Sequence, residues 1–132
     1  PDVSEVQAGT YILMDAEYHE HVPEFHCALT VLSTVISKPS EERMVTDAGL
    51  MSISVASGKP KVAGMDGLEV RELHAENTIL EVRKPIEIEI GDKIEFIPSY
   101  LDGTVNRHEK FYGVRRGKVE TVWDILGRGT SN

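Results

Sequence analysis

Two stretches of the sequence gather side chains able to do chemistry. The first is His19-Glu20-His21, with His26 and Cys27 shortly after. In an extended segment the imidazoles at 19 and 21 point the same way, and imidazole with thiolate is a donor set for zinc or another transition metal. Tyr18 and Pro23 frame the stretch as a polar loop between two strands, so plainly solvated histidines are the competing reading. Cys27 heads an apolar run and reads as a buried, inert thiol.

The second stretch runs from Pro98 to His108 and follows a strand directly. It carries phenol, carboxylate, hydroxyl, amide and imidazole groups in Tyr100, Asp102, Thr104, Asn106 and His108. Tyr100 and Asp102 are two apart, so in extended chain they share a face. A carboxylate beside a phenol at a strand end suits metal ligation or proton transfer. An Asp-Gly turn capped by its own side chain is the alternative. Glu72, His74 and Glu76 alternate along Val70 to Asn77 on what is normally the wet face of a sheet. Asp15 and Asp47 each end an apolar run, as turn formers do.

Other chemistries find no support. Nothing resembles a nucleophile elbow, a P-loop or a dinucleotide fingerprint. The seven lysines sit at strand ends or turns, with no apolar surround to depress an amine pKa.

The elements that must position these groups show a period of two rather than 3.6. Strands are expected at Gly9–Met14, Cys27–Ser37 (stopped by Pro39), Met51–Val55, Thr78–Val82, Ile86–Ile90 and Lys93–Ile97. A closing hairpin joins Phe111–Val114 to Val119–Trp123 through Arg115-Arg116-Gly117-Lys118. Short helical turns fit Ser40–Arg43 and the stretch from Asp102 onward. Seven to nine short strands spaced by turn residues predict one all-β domain over 1–132, a small barrel or sandwich.

Composition narrows the partners. The chain has 132 residues, 40% hydrophobic, enough for a core, which excludes disorder as its general state. A net charge of −8 argues against a nucleic-acid surface and against an anionic membrane. One cysteine excludes an intramolecular disulfide framework, and no apolar run approaches the roughly 18 residues of a membrane span. A start at Pro1 reads as an excised or processed piece, and the Gly127–Asn132 end as frayed.

Six segments in order carry a resemblance: AGTYILMDAEY, ALTVLSTVIS, TDAGL, GDKIEFIP, PSYLDGTVN and FYGVRRGKVETVWDI. From about Val6 to Ile125 the chain resembles the C-terminal β-domain of the D-serine dehydratase and D-threonine aldolase family. These are fold-type III pyridoxal-phosphate enzymes related in architecture to alanine racemase, so the resemblance implies that domain's barrel-like fold. It also implies an N-terminal α/β barrel, outside this chain, that holds the cofactor and its Schiff-base lysine. The expected setting is a cytoplasmic homodimer acting on a small D-amino acid, with no nucleic-acid or membrane partner.

The family loop that binds a divalent ion such as zinc or manganese corresponds to PSYLDGTVN. Asp102 matches the second ligand, and Tyr100 stands where a histidine is expected. Asn77 likewise stands for a histidine and Met51 for a lysine, whereas Asp15 and Tyr18 fit the pattern. The resemblance therefore makes Tyr100 and Asp102 the catalytic and metal candidates. Asp15, Tyr18, Glu76, Asn77, Thr104 and Asn106 become further residues facing the active site. A lyase with this domain as cap is the implied function; a structural or dimerisation domain of a racemase-like protein is the alternative.

Overall fold

The structure is a computed structural model that describes residues 3–129. Pro1 and Asp2, and the last three residues of the expected frayed end, lie outside the described residues. Eight strands form two sheets: β1 Val31–Ser40, β2 Arg43–Thr46, β3 Lys61–Val62, β4 Leu68–Leu73, β5 Thr78–Val82, β6 Lys93–Ile97, β7 Lys110–Arg115 and β8 Lys118–Asp124. Six of them make an antiparallel sheet in the order β3-β6-β1-β2-β5-β4. The two edge strands β3 and β4 approach one another, so the sheet curls into a nearly closed barrel. The expected all-β barrel is what the chain forms.

Alternation builds the core. Along β6, Ile94 and Phe96 turn inward while Lys93 and Glu95 face out; along β1, Val31, Ser33 and Val35 turn inward. Met44, Ile53, Leu80, Ile88 and Leu68 complete the apolar interior. Pro39 does not stop β1, because the β1–β2 pairing is irregular between Ser37 and Ser40 and a proline is tolerated at such a break.

Three expected strands are absent, each for a local reason. Thr10–Ile12 forms a 3₁₀ turn, in which the Thr10 carbonyl accepts from the Leu13 and Met14 N–H groups. Around Met51–Val55, the Ser52 and Ile53 N–H groups donate to the Gly49 carbonyl, folding the segment into a turn. Ile86–Ile90 keeps its alternation in part, with Ile88 buried and both glutamates exposed, yet pairs with no strand. Ser40–Arg43 is a tight β1–β2 connection, not helix.

Two short α-helices lie among the described residues: α1 Ala16–His21 and α2 Leu101–Val105. The expected loop at His19–His21 is therefore helical. At about 100° per residue, positions two apart point to nearly opposite sides of a helix, so His19 and His21 do not share a face. The β7–β8 hairpin stands apart as its own sheet. Its turn is as expected, with Arg116 at φ 51° and Gly117 at φ 73°, the pair of left-handed residues that a type I′ turn requires.

Candidate active-site face

Strand order brings three loops together that are distant in sequence: Asp47–Ser52 after β2, His74–Asn77 between β4 and β5, and Pro98–Asn106 around α2. The first two are stitched backbone to backbone. Leu50 and Met51 donate to the His74 and Ala75 carbonyls, both at 2.8 Å, and the Thr78 hydroxyl donates to Ala48 O at 2.6 Å. Gly49 permits this closeness, since a Cβ there would lie 2.5 Å from Asn77 N and collide with the His74 carbonyl.

The third loop is clamped onto the first. The buried Thr104 hydroxyl accepts the Ser54 N–H at 3.0 Å and donates to Tyr100 O at 2.8 Å. Arg107 Nε donates to Leu50 O at 3.0 Å, and His108 Nε2 lies 2.8 Å from Ser52 O. Gly103 packs so tightly that an added Cβ would meet Ser54 Cβ and Tyr100 Cδ1, each at 2.9 Å. His108 stood out by type in the Pro98–His108 stretch, but its role as a clamp did not; Ser54 and Arg107 had no distinguishing signal, because the partners lie roughly 50 residues away and only the fold supplies them.

Asp47, Met51, Ser52, Glu76 and Asn77 line an open depression of about 410 Å³ on this face. Burial would raise the Asp47 carboxyl, but the Thr34 N–H at 2.7 Å and the Ser33 hydroxyl at 2.9 Å hold it below its usual range. A second hollow, of about 130 Å³, is lined by Ala16, Glu17, Glu20, Ser57, Lys59, Lys61 and Ser99.

The structure places the remaining candidates as follows. Asp15 is buried (2% exposed) and caps α1 by accepting the Tyr18 N–H at 2.8 Å. The Ala16 N–H at the start of that helix donates to Pro98 O at 2.9 Å, docking α1 against the Tyr100 loop. Tyr18 is exposed. Asn106 is exposed and accepts the Gly129 N–H at 2.8 Å. Glu72 and His74 face solvent together, as the alternation implies. Cys27 is partly buried, its thiol 3.6 Å from Asp15 O; burial, then the Asp15 charge, pushes that thiol up.

Asp102 is exposed on the first turn of α2 and Tyr100 is half-buried at its N-cap. A phenol ligates a divalent ion only after losing a proton, with a reference pKa of about 10. Among the described residues no cluster of three or more His, Cys, Asp or Glu stands in a metal-binding arrangement. The Tyr100–Asp102 pair by itself does not fit a divalent cation.

Residues 28–114 match the serine dehydratase domain family. Over 97% of its length the chain is 35% identical to a D-threonine aldolase from an Arthrobacter species. It is 36% identical over 96% of its length to a 3-hydroxy-D-aspartate aldolase from Paracoccus denitrificans. It spans only about 35% of the length of either relative. The D-threonine aldolase structure from Filomicrobium marinum superposes with a TM-score of 0.86 at 32% identity, covering 92% of this chain and 35% of that one. An alanine-racemase-like protein from Idiomarina loihiensis shares the fold with a TM-score of 0.75 at 22% identity, over 93% of this chain and 38% of that one. No helix among the described residues is long and apolar enough to cross a membrane. The chain belongs to the serine dehydratase domain family, as the β-domain that it shares with D-threonine aldolase.

Proposed function

We propose that this chain is the β-domain of a longer pyridoxal-phosphate enzyme, a lyase acting on a β-hydroxy D-amino acid, and that its α2 loop faces the substrate. One observation carries the reading. The loops of Asp47–Ser52, His74–Asn77 and Pro98–Asn106 are locked into one polar face, and all three lie within the residues 28–114 that match the family.

Pyridoxal phosphate, held by the barrel domain outside this chain, acts as the electron sink for the substrate's α-carbon. What this chain contributes is position. Thr104, Arg107 and His108 hold the loop against its neighbours, so that Tyr100 and Asp102 meet the substrate without further ordering. An exposed carboxylate at 102 is suited to accept the proton of a substrate hydroxyl, and the Tyr100 phenol to donate a hydrogen bond. No step is assigned to zinc or manganese, because these two groups do not fit such an ion; a metal here would need donors beyond them. Dimer formation across the cap belongs to the same proposal.

The test is turnover of the full-length protein with D-threonine and 3-hydroxy-D-aspartate, beside Asp102→Ala. Cleavage by the parent and a loss of about 10²-fold or more in kcat for the folded variant support the reading. A second reading, a cap without chemistry, is favoured by the phenol at position 100 where the family has an imidazole. Unchanged turnover in Asp102→Ala would establish it instead.

A further inference from the structure

The β7–β8 hairpin is hydrogen-bonded to none of the six barrel strands, and one of its faces is apolar and open. Cross-strand pairs lie on one face, so Tyr112 opposite Val122 and Val114 opposite Val119 make a single patch. These four are 63%, 47%, 62% and 58% exposed. At each end the patch is edged by an ion pair, Lys110 with Asp124 at 3.7 Å and Arg115 with Glu120 at 3.4 Å. An apolar centre with a polar, self-neutralised rim is the anatomy of a protein–protein contact.

The opposite face carries the indole of Trp123, packed across Gly113 where a Cβ would lie 2.8 Å from Cζ3 and 2.6 Å from Thr121 Cγ2, and itself 56% exposed. With four exposed apolar side chains against that one, the face of Tyr112, Val114, Val119 and Val122 is the larger apolar surface. Two observations identify the occupant. The relatives carry about two thirds of their length outside the matched region, which is the mass available to cover it. The hairpin also follows α2 after only a few residues, so whatever sits on it is tethered close in sequence to the loop of Tyr100 and Asp102.

We infer that the face of Tyr112, Val114, Val119 and Val122 is the seat of the barrel domain of the full-length enzyme. The contact fixes the α2 loop relative to the cofactor's domain. This rests on the reading above that such a barrel exists. The apolar side chains supply the attraction, and the Lys110–Asp124 and Arg115–Glu120 pairs set the orientation.

Thiol labelling and photo-crosslinking of the full-length protein test this, in a Cys27→Ser background with modified sites assigned by peptide mass spectrometry. Val122→Cys is expected to react with a maleimide at least about tenfold more slowly than Leu126→Cys, which stays 88% exposed in this chain. Equal rates would overturn the inference by showing the face open. A benzophenone amino acid at position 112 is expected to crosslink to barrel peptides. Crosslinks to another copy of this β-domain instead would also overturn it, and would assign the face to self-association. The variant Val114→Glu with Val119→Lys keeps a cross-strand pair and so the hairpin; it is expected to speed labelling at position 122. Unaltered slow labelling would again count against the inference. Absence of a pyridoxal-phosphate absorption band in the full-length protein would fail the functional reading instead, and is read separately.

Discussion

The Ser54 N–H donates at 3.0 Å to the hydroxyl of Thr104, 50 residues further along the chain, and that hydroxyl donates in turn to the Tyr100 carbonyl. One small side chain thus ties the turn after β2 to the loop that presents Tyr100 and Asp102. Thr104→Val keeps the shape and leaves a buried N–H without an acceptor. Stability is expected to fall by about 1–3 kcal/mol. Thr104→Ser is expected to recover most of it. Denaturant midpoints of the three proteins decide the matter, and a neutral Thr104→Val would show that the bond carries nothing.

Gly103→Ala tests the closeness of the same two loops. The new methyl would press on Ser54 and on the Tyr100 ring, at a cost of about 1–3 kcal/mol for overpacking. Part of the clash is with Ser54 Oγ at 2.6 Å, so adding Ser54→Ala is expected to return some of the loss. Strictly additive effects in the double variant would argue against direct contact.

Asp47 predicts an acid response. Its carboxyl is held below the usual 3.8 when folded, so its stabilisation is fully present above that value. The stabilisation is lost as the pH falls through the lower, folded value. Asp47→Asn is expected to lower stability at pH 7 and to remove this residue's share of the decline below about pH 4. Chemical denaturation from pH 7 to pH 2 should show the two curves converging as the acid limb is entered.

Cys27 should be slow to alkylate. Burial, and secondarily the Asp15 charge, raise its thiol above the usual 9.0, so little thiolate exists at neutral pH. Iodoacetamide labelling is expected to accelerate only above about pH 9. Rapid modification at pH 7 would contradict the packing described.

Metal titration of the isolated chain separates the two ligand clusters suggested by residue type. His19 is hydrogen-bonded to Phe25 O at 2.9 Å and His21 points away from it, while Tyr100 with Asp102 makes an incomplete set. Equilibrium dialysis with zinc and with manganese is expected to show no stoichiometric binding at micromolar ion. One equivalent bound, and lost in Asp102→Ala, would reverse that conclusion for α2.

The barrel was legible in part: β2, β3 and β4 were not among the expected strands, although Met44 and Leu68 turn into the core. Lys93–Ile97 and Thr78–Val82 read correctly because Ile94, Phe96 and Leu80 mark one face unambiguously. Ile86–Ile90 alternates more strictly still and forms no strand, since pairing depends on a neighbouring edge that local sequence does not encode. For the site, the PSYLDGTVN loop was visible from its residue types, and α2 does carry it. The clamp was not visible. Arg107 and His108 reach backbone carbonyls, and Thr104 a backbone N–H, at separations of 57, 56 and 50 residues, and no periodicity reports such a partner.

Gly49 and Gly103 leave no room for a side chain where the three loops meet, whereas Met51 and Glu76 project into the depression and are exposed. The face thereby separates a sterically fixed frame from a writable surface. On the function proposed above, a library restricted to Met51 and Glu76 should explore substrate preference with little loss of folded protein, and one that includes the two glycines should mostly yield inclusion bodies. Selection acting on such a domain can retune what it accepts without rebuilding how it is held.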